Sequence, residues 1–170
     1  VDSFFSPKAL LPNVSQMTSQ DHLPSLPFAE NDREMYRGMV LDADGKQLRS
    51  ILSHGLKTAK SHHENFHAYD GKKYPKGTKA IYATINPNGA VFYVLKPAGQ
   101  TSRYLPVVLH LKRVSDDYII SVPHNIPPSW IYRVSALLRI NGQLTWGELK
   151  LENNTFHFTP YPPNMGETNR

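Results

Sequence analysis

An arginine inside an apolar run is the first residue of this chain that asks for a chemical explanation. It sits in Met35-Tyr36-Arg37-Gly38-Met39-Val40-Leu41. A guanidinium is costly to bury unless its charge is met. Its planar fork suits a phosphate. Gly38, next along, would let a ligand approach the backbone closely. The plainer alternative is an arginine on an edge strand, paired with a carboxylate.

A second group is His63-Glu64-Asn65-Phe66-His67, which matches His-Glu-x-x-His. On a helix the two histidines share a face and can bind zinc, with the glutamate as general base. The flanks argue against that helix. Lys60, Ser61 and Asp70-Gly71-Lys72-Lys73 are polar, and His54 and His62 make a chance match easier. A third ligand would have to come from another strand, as His110, His124 or Glu148. The expectation is a solvated loop without a metal, with a zinc hydrolase through His63, Glu64 and His67 as the further alternative. Ser53-His54 and Ser61-His62 are adjacent pairs, but nothing nearby marks a third group that would orient the base.

The elements that position these residues follow from patterning. Residues 1–30 carry Pro7, Pro12, Pro24 and Pro27 and read as an irregular lead-in, because proline blocks interior helix and strand positions. A strand is expected over 35–41, then a turn at Asp42-Ala43-Asp44-Gly45. Leu48, Ile51 and Leu52 lie at i, i+3 and i+4, which predicts a short helix over 46–54 stopped by Gly55. Residues 56–77 read mostly as loop. A strand follows over 79–84, then a turn at Asn86-Pro87-Asn88-Gly89. Residues 90–95 are ambiguous between strand and helix, with Val91, Phe92, Tyr93 and Val94 favouring strand. The last third is rich in strands: 105–114, 117–122, 130–140, and a terminal hairpin of 144–151 with 155–159. Trp146-Gly147-Glu148 reads as a bulge or turn.

The order of these pieces resembles the mono-ADP-ribosyltransferases of the cholera-toxin-like, Arg-Ser-Glu class. The resemblance covers about residues 33–140. It rests on the Tyr36-Arg37 strand, the helix leading to Gly55-Leu56, the strand ending Tyr82-Ala83-Thr84, and the Ile126-Pro127 turn into Trp130-Ile131. It implies an α+β domain whose mostly antiparallel strands form a split sheet pair with few short helices, and whose cleft takes NAD as substrate. Arg37 then matches the arginine that contacts the NAD phosphates or ribose, with Tyr36, Gly38, Tyr82 and Thr84 beside the cofactor. Thr84 stands at the end of a strand that in the family reads Ser-Thr-Ser, so one hydroxyl of three is kept.

The family's catalytic glutamate falls on Ile119, with Asp117 two residues earlier. That glutamate stabilises the positive charge that develops as the glycosidic bond breaks, and isoleucine cannot do so. Three accounts follow. Asp117 is the acid, with Arg37 and Thr84 completing the catalytic set. Or Glu148 supplies the acid from elsewhere. Or the domain has lost transfer and serves as a protein- or ligand-binding module on the same fold. If active, the enzyme is an ADP-ribosyltransferase or NAD glycohydrolase, and its partner a protein acceptor.

Bulk properties bound the remaining classes. The chain has 170 residues, about one domain, divided here into the lead-in (1–30), the domain proper (31–160) and a tail (161–170). There is no cysteine, which excludes a thiol nucleophile, a cysteine zinc site and disulfides. The formal charge of +5 is spread over small groups, such as Lys72, Lys73 and Lys76, so no nucleic-acid partner is expected. The longest apolar stretches fall well short of the ~20 residues a membrane helix needs, so a soluble chain is expected. Nothing near Val1 reads as a signal peptide, and one removed ahead of Val1 would leave export open.

Overall fold

The computed structural model describes residues 3–5, 23–94 and 104–162, the first three by backbone alone. Among the described residues, eleven strands and a few short helical segments build an α+β fold in which every strand pairing is antiparallel. The strands are β1 (Ser3–Phe5), β2 (Glu34–Asp42), β3 (Lys60–Ser61), β4 (Phe66–His67), β5 (Lys73–Tyr74) and β6 (Lys79–Thr84), followed by β7 (Tyr104–Lys112), β8 (Ile119–Val122), β9 (Ile131–Ile140), β10 (Gln143–Glu152) and β11 (Thr155–Pro160). Nine of them form one sheet in the order β1-β11-β10-β9-β7-β2-β6-β3, with β8 joined to β6. β4 and β5 form a small separate hairpin.

The central strand β7 reads Tyr-Leu-Pro-Val-Val-Leu-His-Leu-Lys and is buried along all but its last residue. Its two faces feed two cores, because successive side chains point to opposite sides. On one face Leu105, Val107, Leu109 and Leu111 join Met35, Val134, Phe156 and Phe158. Helix α1 (Lys46–His54) covers that side with Leu48, and Ile51 and Leu52 pack beside it. On the other face Val108 meets Tyr36, Leu137 and Trp146 under helix α2 (Pro87–Val91).

Sequence patterning anticipates most strands, and the exceptions have physical causes. Asn86-Pro87-Asn88-Gly89 starts a helix rather than a free turn. The Asn86 side chain accepts from the Asn88 and Gly89 N–H groups, and Pro87 takes the first helical position, where its missing N–H costs nothing. The ambiguous 90–95 stretch is therefore helical as far as it is described, ending in a 3-10 turn over Phe92–Val94. Trp146-Gly147-Glu148 is neither bulge nor turn but regular β10, paired to both β9 and β11. Gly147 is there for room, since a Cβ would lie 2.5 Å from the Phe158 ring. The 56–77 stretch contains the short strands β3, β4 and β5.

The described part of the lead-in is tied down. The Leu26 N–H donates to Asn88 Oδ1 (2.8 Å), and the Trp146 indole N–H donates to the Pro24 carbonyl (2.8 Å). Residues 1–2 and 6–22 of the lead-in lie outside the described residues, as does all of the expected tail beyond residue 162.

Candidate functional site

The sheet comes apart between β2 and β6. These neighbours share a single paired position, Tyr36 with Thr84, whereas β2 pairs with β7 over nine positions. Where a ladder stops, its backbone groups need other partners. Arg37 provides one: its guanidinium donates to the Tyr82 carbonyl at 2.8 Å. By the pleat Arg37 shares a row with Met35, Met39 and Leu41, so the charge lies on a core-facing side.

The gap is a cavity of about 560 Å³, within the roughly 300–1,000 Å³ range of small-molecule sites. Arg37, Lys60, His62 and His63 bring the basic groups to it. Ser61, Tyr82, Thr84, Tyr93 and Ser121 bring hydroxyls, and Ile119 an aliphatic wall. Among the described residues no Asp or Glu lines it. Two buried polar atoms at this cavity have no hydrogen-bond partner: Arg37 Nε and His62 Nδ1. Burial lowers the pKa of Arg37, and a guanidinium stays charged even so. Among the described residues the arginine is thus on an internal strand and without a carboxylate, unlike the edge-strand ion pair considered above.

The remaining expected site residues divide. Thr84 and Ile119 face one another in the β6–β8 register and both reach the cavity. Thr84 also braces the next turn, its hydroxyl oxygen accepting from the Asn86 N–H at 3.2 Å. Tyr82 lines the cavity with its ring against His62, and burial raises its pKa. Tyr36 contributes to the wall, but its side chain is fully buried and its hydroxyl is bonded to Asn31 and Glu34. Gly38 is not left open for a ligand. A Cβ there would sit 2.0 Å from the Ala90 carbonyl oxygen, so the position serves close packing of β2 against α2. Asp117 is exposed and outside the cavity. Glu148 lies elsewhere, 3.9 Å from Arg133 and 4.0 Å from Lys150.

The His-Glu-x-x-His segment forms no helix. His67 lies on β4, and His62 stacks on Phe66 with ring centroids 4.2 Å apart. Among the described residues no three His, Cys, Asp or Glu side chains gather as metal ligands would. What sequence reasoning missed is that this basic stretch forms a wall of the Arg37 cavity. Its concentration of Lys57, Lys60, His62 and His63 was the available signal. Gly55-Leu56 and Ile126-Pro127, far apart in the sequence, meet directly. Leu56 and Ile126 exchange both backbone hydrogen bonds at 2.9 Å.

A second polar group lies away from the cavity. His110 Nε2 is 2.6 Å from Ser135 Oγ, which is 2.7 Å from the Tyr161 hydroxyl, and His110 Nδ1 is 3.5 Å from Glu34. Burial pushes the His110 pKa down, only partly offset by Glu34. Burial alone would raise the Glu34 pKa, but His110 and Arg133 hold it below the usual carboxylate value. The order of groups is that of a nucleophile, base and orienting acid. His110 and Ser135 are nonetheless fully buried, with Phe28 and Tyr36 edge-on to the imidazole, so no substrate reaches them. The chain of hydrogen bonds fastens Tyr161 to the sheet. No family model, curated protein or solved structure matches the chain.

Proposed function

We propose that this chain is a divergent ADP-ribosyltransferase-like domain that binds a nucleotide of the NAD kind through its diphosphate in the Arg37 cavity and does not transfer ADP-ribose. The observation that carries the reading is the Arg37 guanidinium, which has an unpartnered Nε at a cavity with no carboxylate among its described lining. A buried cation without a counter-ion is a standing cost, and a phosphate would relieve it with paired, charge-assisted hydrogen bonds. Lys60 adds charge, Tyr82 and Tyr93 offer ring surfaces, and Ser61, Thr84 and Ser121 offer hydroxyl groups suited to ribose. The relationship to the transferases is supported by the meeting of Arg37, Thr84 and Ile119 at one cavity, and of Gly55-Leu56 with Ile126-Pro127. The absence of transfer is supported by Ile119, which stands where the resemblance calls for a glutamate, and by the absence of Asp117 and Glu148 from the described lining.

Calorimetric titration of NAD, ADP-ribose and pyrophosphate into the chain and into Arg37→Met tests this. Binding that Arg37→Met removes is expected, with no nicotinamide released from NAD by either protein. Absence of binding by all three compounds would sink the nucleotide reading. Nicotinamide release that depends on Arg37 would overturn the non-transferring part.

A further inference from the structure

Every ionisable side chain with a basic group at the Arg37 cavity is unopposed within it. Arg37 and Lys60 are cations, His62 and His63 bring imidazoles, and the other described lining groups are hydroxyls, rings and aliphatic carbons. Negative charge on a ligand is met here, and positive charge is not. That asymmetry separates ligands sharing one diphosphate. ADP-ribose and reduced NAD carry the two diphosphate charges and an uncharged far end. Oxidised NAD carries the same diphosphate with a cationic nicotinamide ring, which would lie in a cavity already holding Arg37 and Lys60.

The wall that would have to balance such a ring is Ile119. It is half exposed, it pairs with Thr84 across β6 and β8, and it lines the same cavity as Arg37. A carboxylate at that position would face the basic groups without entering a core.

We infer that the cavity selects nucleoside diphosphates whose far end carries no positive charge over oxidised NAD, and that Ile119 is the residue that sets this selection. The inference rests on the proposed nucleotide site and deepens it. Like charges several ångströms apart in a partly desolvated site repel strongly enough for roughly a 10- to 100-fold preference. Reduced NAD separates charge from size, because it keeps the full dinucleotide and lacks the cation.

The test is calorimetric titration of ADP-ribose, reduced NAD and oxidised NAD into the full chain and into Ile119→Glu, Ile119→Gln and Arg37→Met. The wild-type chain is expected to bind ADP-ribose and reduced NAD at least about tenfold more tightly than oxidised NAD. Ile119→Glu should close or invert that gap, and Ile119→Gln, of equal size without charge, should leave it. Oxidised and reduced NAD binding alike to the wild-type chain would overturn the inference. So would ADP-ribose binding tightly while both dinucleotides bind weakly, which is exclusion by size. Closure of the gap by the glutamine variant would overturn it as well. If all three ligands bind alike and Arg37→Met abolishes binding, the nucleotide reading stands and the selectivity alone fails. If none binds, both fail.

Discussion

Replacing Arg37 by methionine separates a binding arginine from a structural one by the sign and size of the stability change. Methionine is unbranched, reaches nearly as far, and carries no charge. The substitution removes one hydrogen bond, from the guanidinium to the Tyr82 carbonyl. A hydrogen bond from a charged donor contributes roughly 1.5–3 kcal/mol. The carbonyl lies beside the cavity, where water can replace part of that loss. Against it stands the removal of a partly buried cation that has an unpartnered Nε and, among the described residues, no carboxylate partner. The penalty for desolvating an ion is several kcal/mol when the ion is fully buried, and the half-buried Arg37 carries a fraction of it. The two contributions nearly cancel, so the net change in unfolding free energy is expected within about 1 kcal/mol of zero.

A structural arginine in a buried ion pair would cost roughly 3–5 kcal/mol on removal of one partner. Urea unfolding followed by tryptophan fluorescence resolves that difference, provided the m-value is unchanged between the two proteins. The same experiment in phosphate and in chloride at equal ionic strength adds the functional readout. A ligand at one hundred times its Kd stabilises the folded chain by about 2.7 kcal/mol. Phosphate should therefore stabilise the wild-type chain and leave Arg37→Met unmoved. A variant destabilised by about 3 kcal/mol or more, or one stabilised by phosphate as much as the wild type, would refute the reasoning.

Two further predictions concern the frame of the site. Gly38→Ala should cost about 1–3 kcal/mol by chemical denaturation, because its Cβ would lie 2.0 Å from the Ala90 carbonyl oxygen and 3.0 Å from Tyr93 Cβ, forcing β2 and α2 apart; an unchanged midpoint would show that the glycine is not a packing requirement. His110 should make stability fall as pH drops. Its folded pKa lies below the ordinary 6.5, so the unfolded chain binds the extra proton first, and stability is lost from about pH 6.5 downward by at most ~1.4 kcal/mol per pH unit. Glu34, held below its ordinary 4.5, adds a separate loss below that pH, and His110→Gln should remove the first phase and weaken the second, because the imidazole is part of what holds Glu34 down.

How legible this was in the sequence depends on what each residue answers to. The β6 strand over Lys79–Thr84 and the α1 helix over Lys46–His54 could be read directly, because local periodicity and a glycine stop decide them. The Asn86-Pro87 step reads as a turn in sequence because the same residues serve turns and helix starts, and the contacts of Ala90 and Val91 with the sheet select the helix. Gly38 and Gly147 were given local meanings, a ligand approach and a bulge. Both are glycine because of groups distant in sequence, Ala90 for one and Phe158 for the other. His110 sits in a strand of aliphatic residues, and nothing local announces that Glu34, Ser135 and Tyr161 will complete its hydrogen bonds.

Arg37 was conspicuous for the opposite reason: it violates its own pattern. In the row Met35, Arg37, Met39, Leu41 a charge falls where an aliphatic side chain would extend the core. The fold accommodates it by ending the β2–β6 ladder after one pair, so the break that exposes the Tyr82 carbonyl also makes the cavity holding the guanidinium. The hydrogen bond satisfies that carbonyl, yet a neutral donor could have done so without a buried charge. What the carbonyl does not require is the cation, the facing Lys60, or the unpartnered Nε. On the nucleotide reading proposed above, those features answer to an anion, and the aliphatic Ile119 opposite Thr84 determines which anions fit, because it leaves nothing in the described lining to balance a positive charge on the ligand.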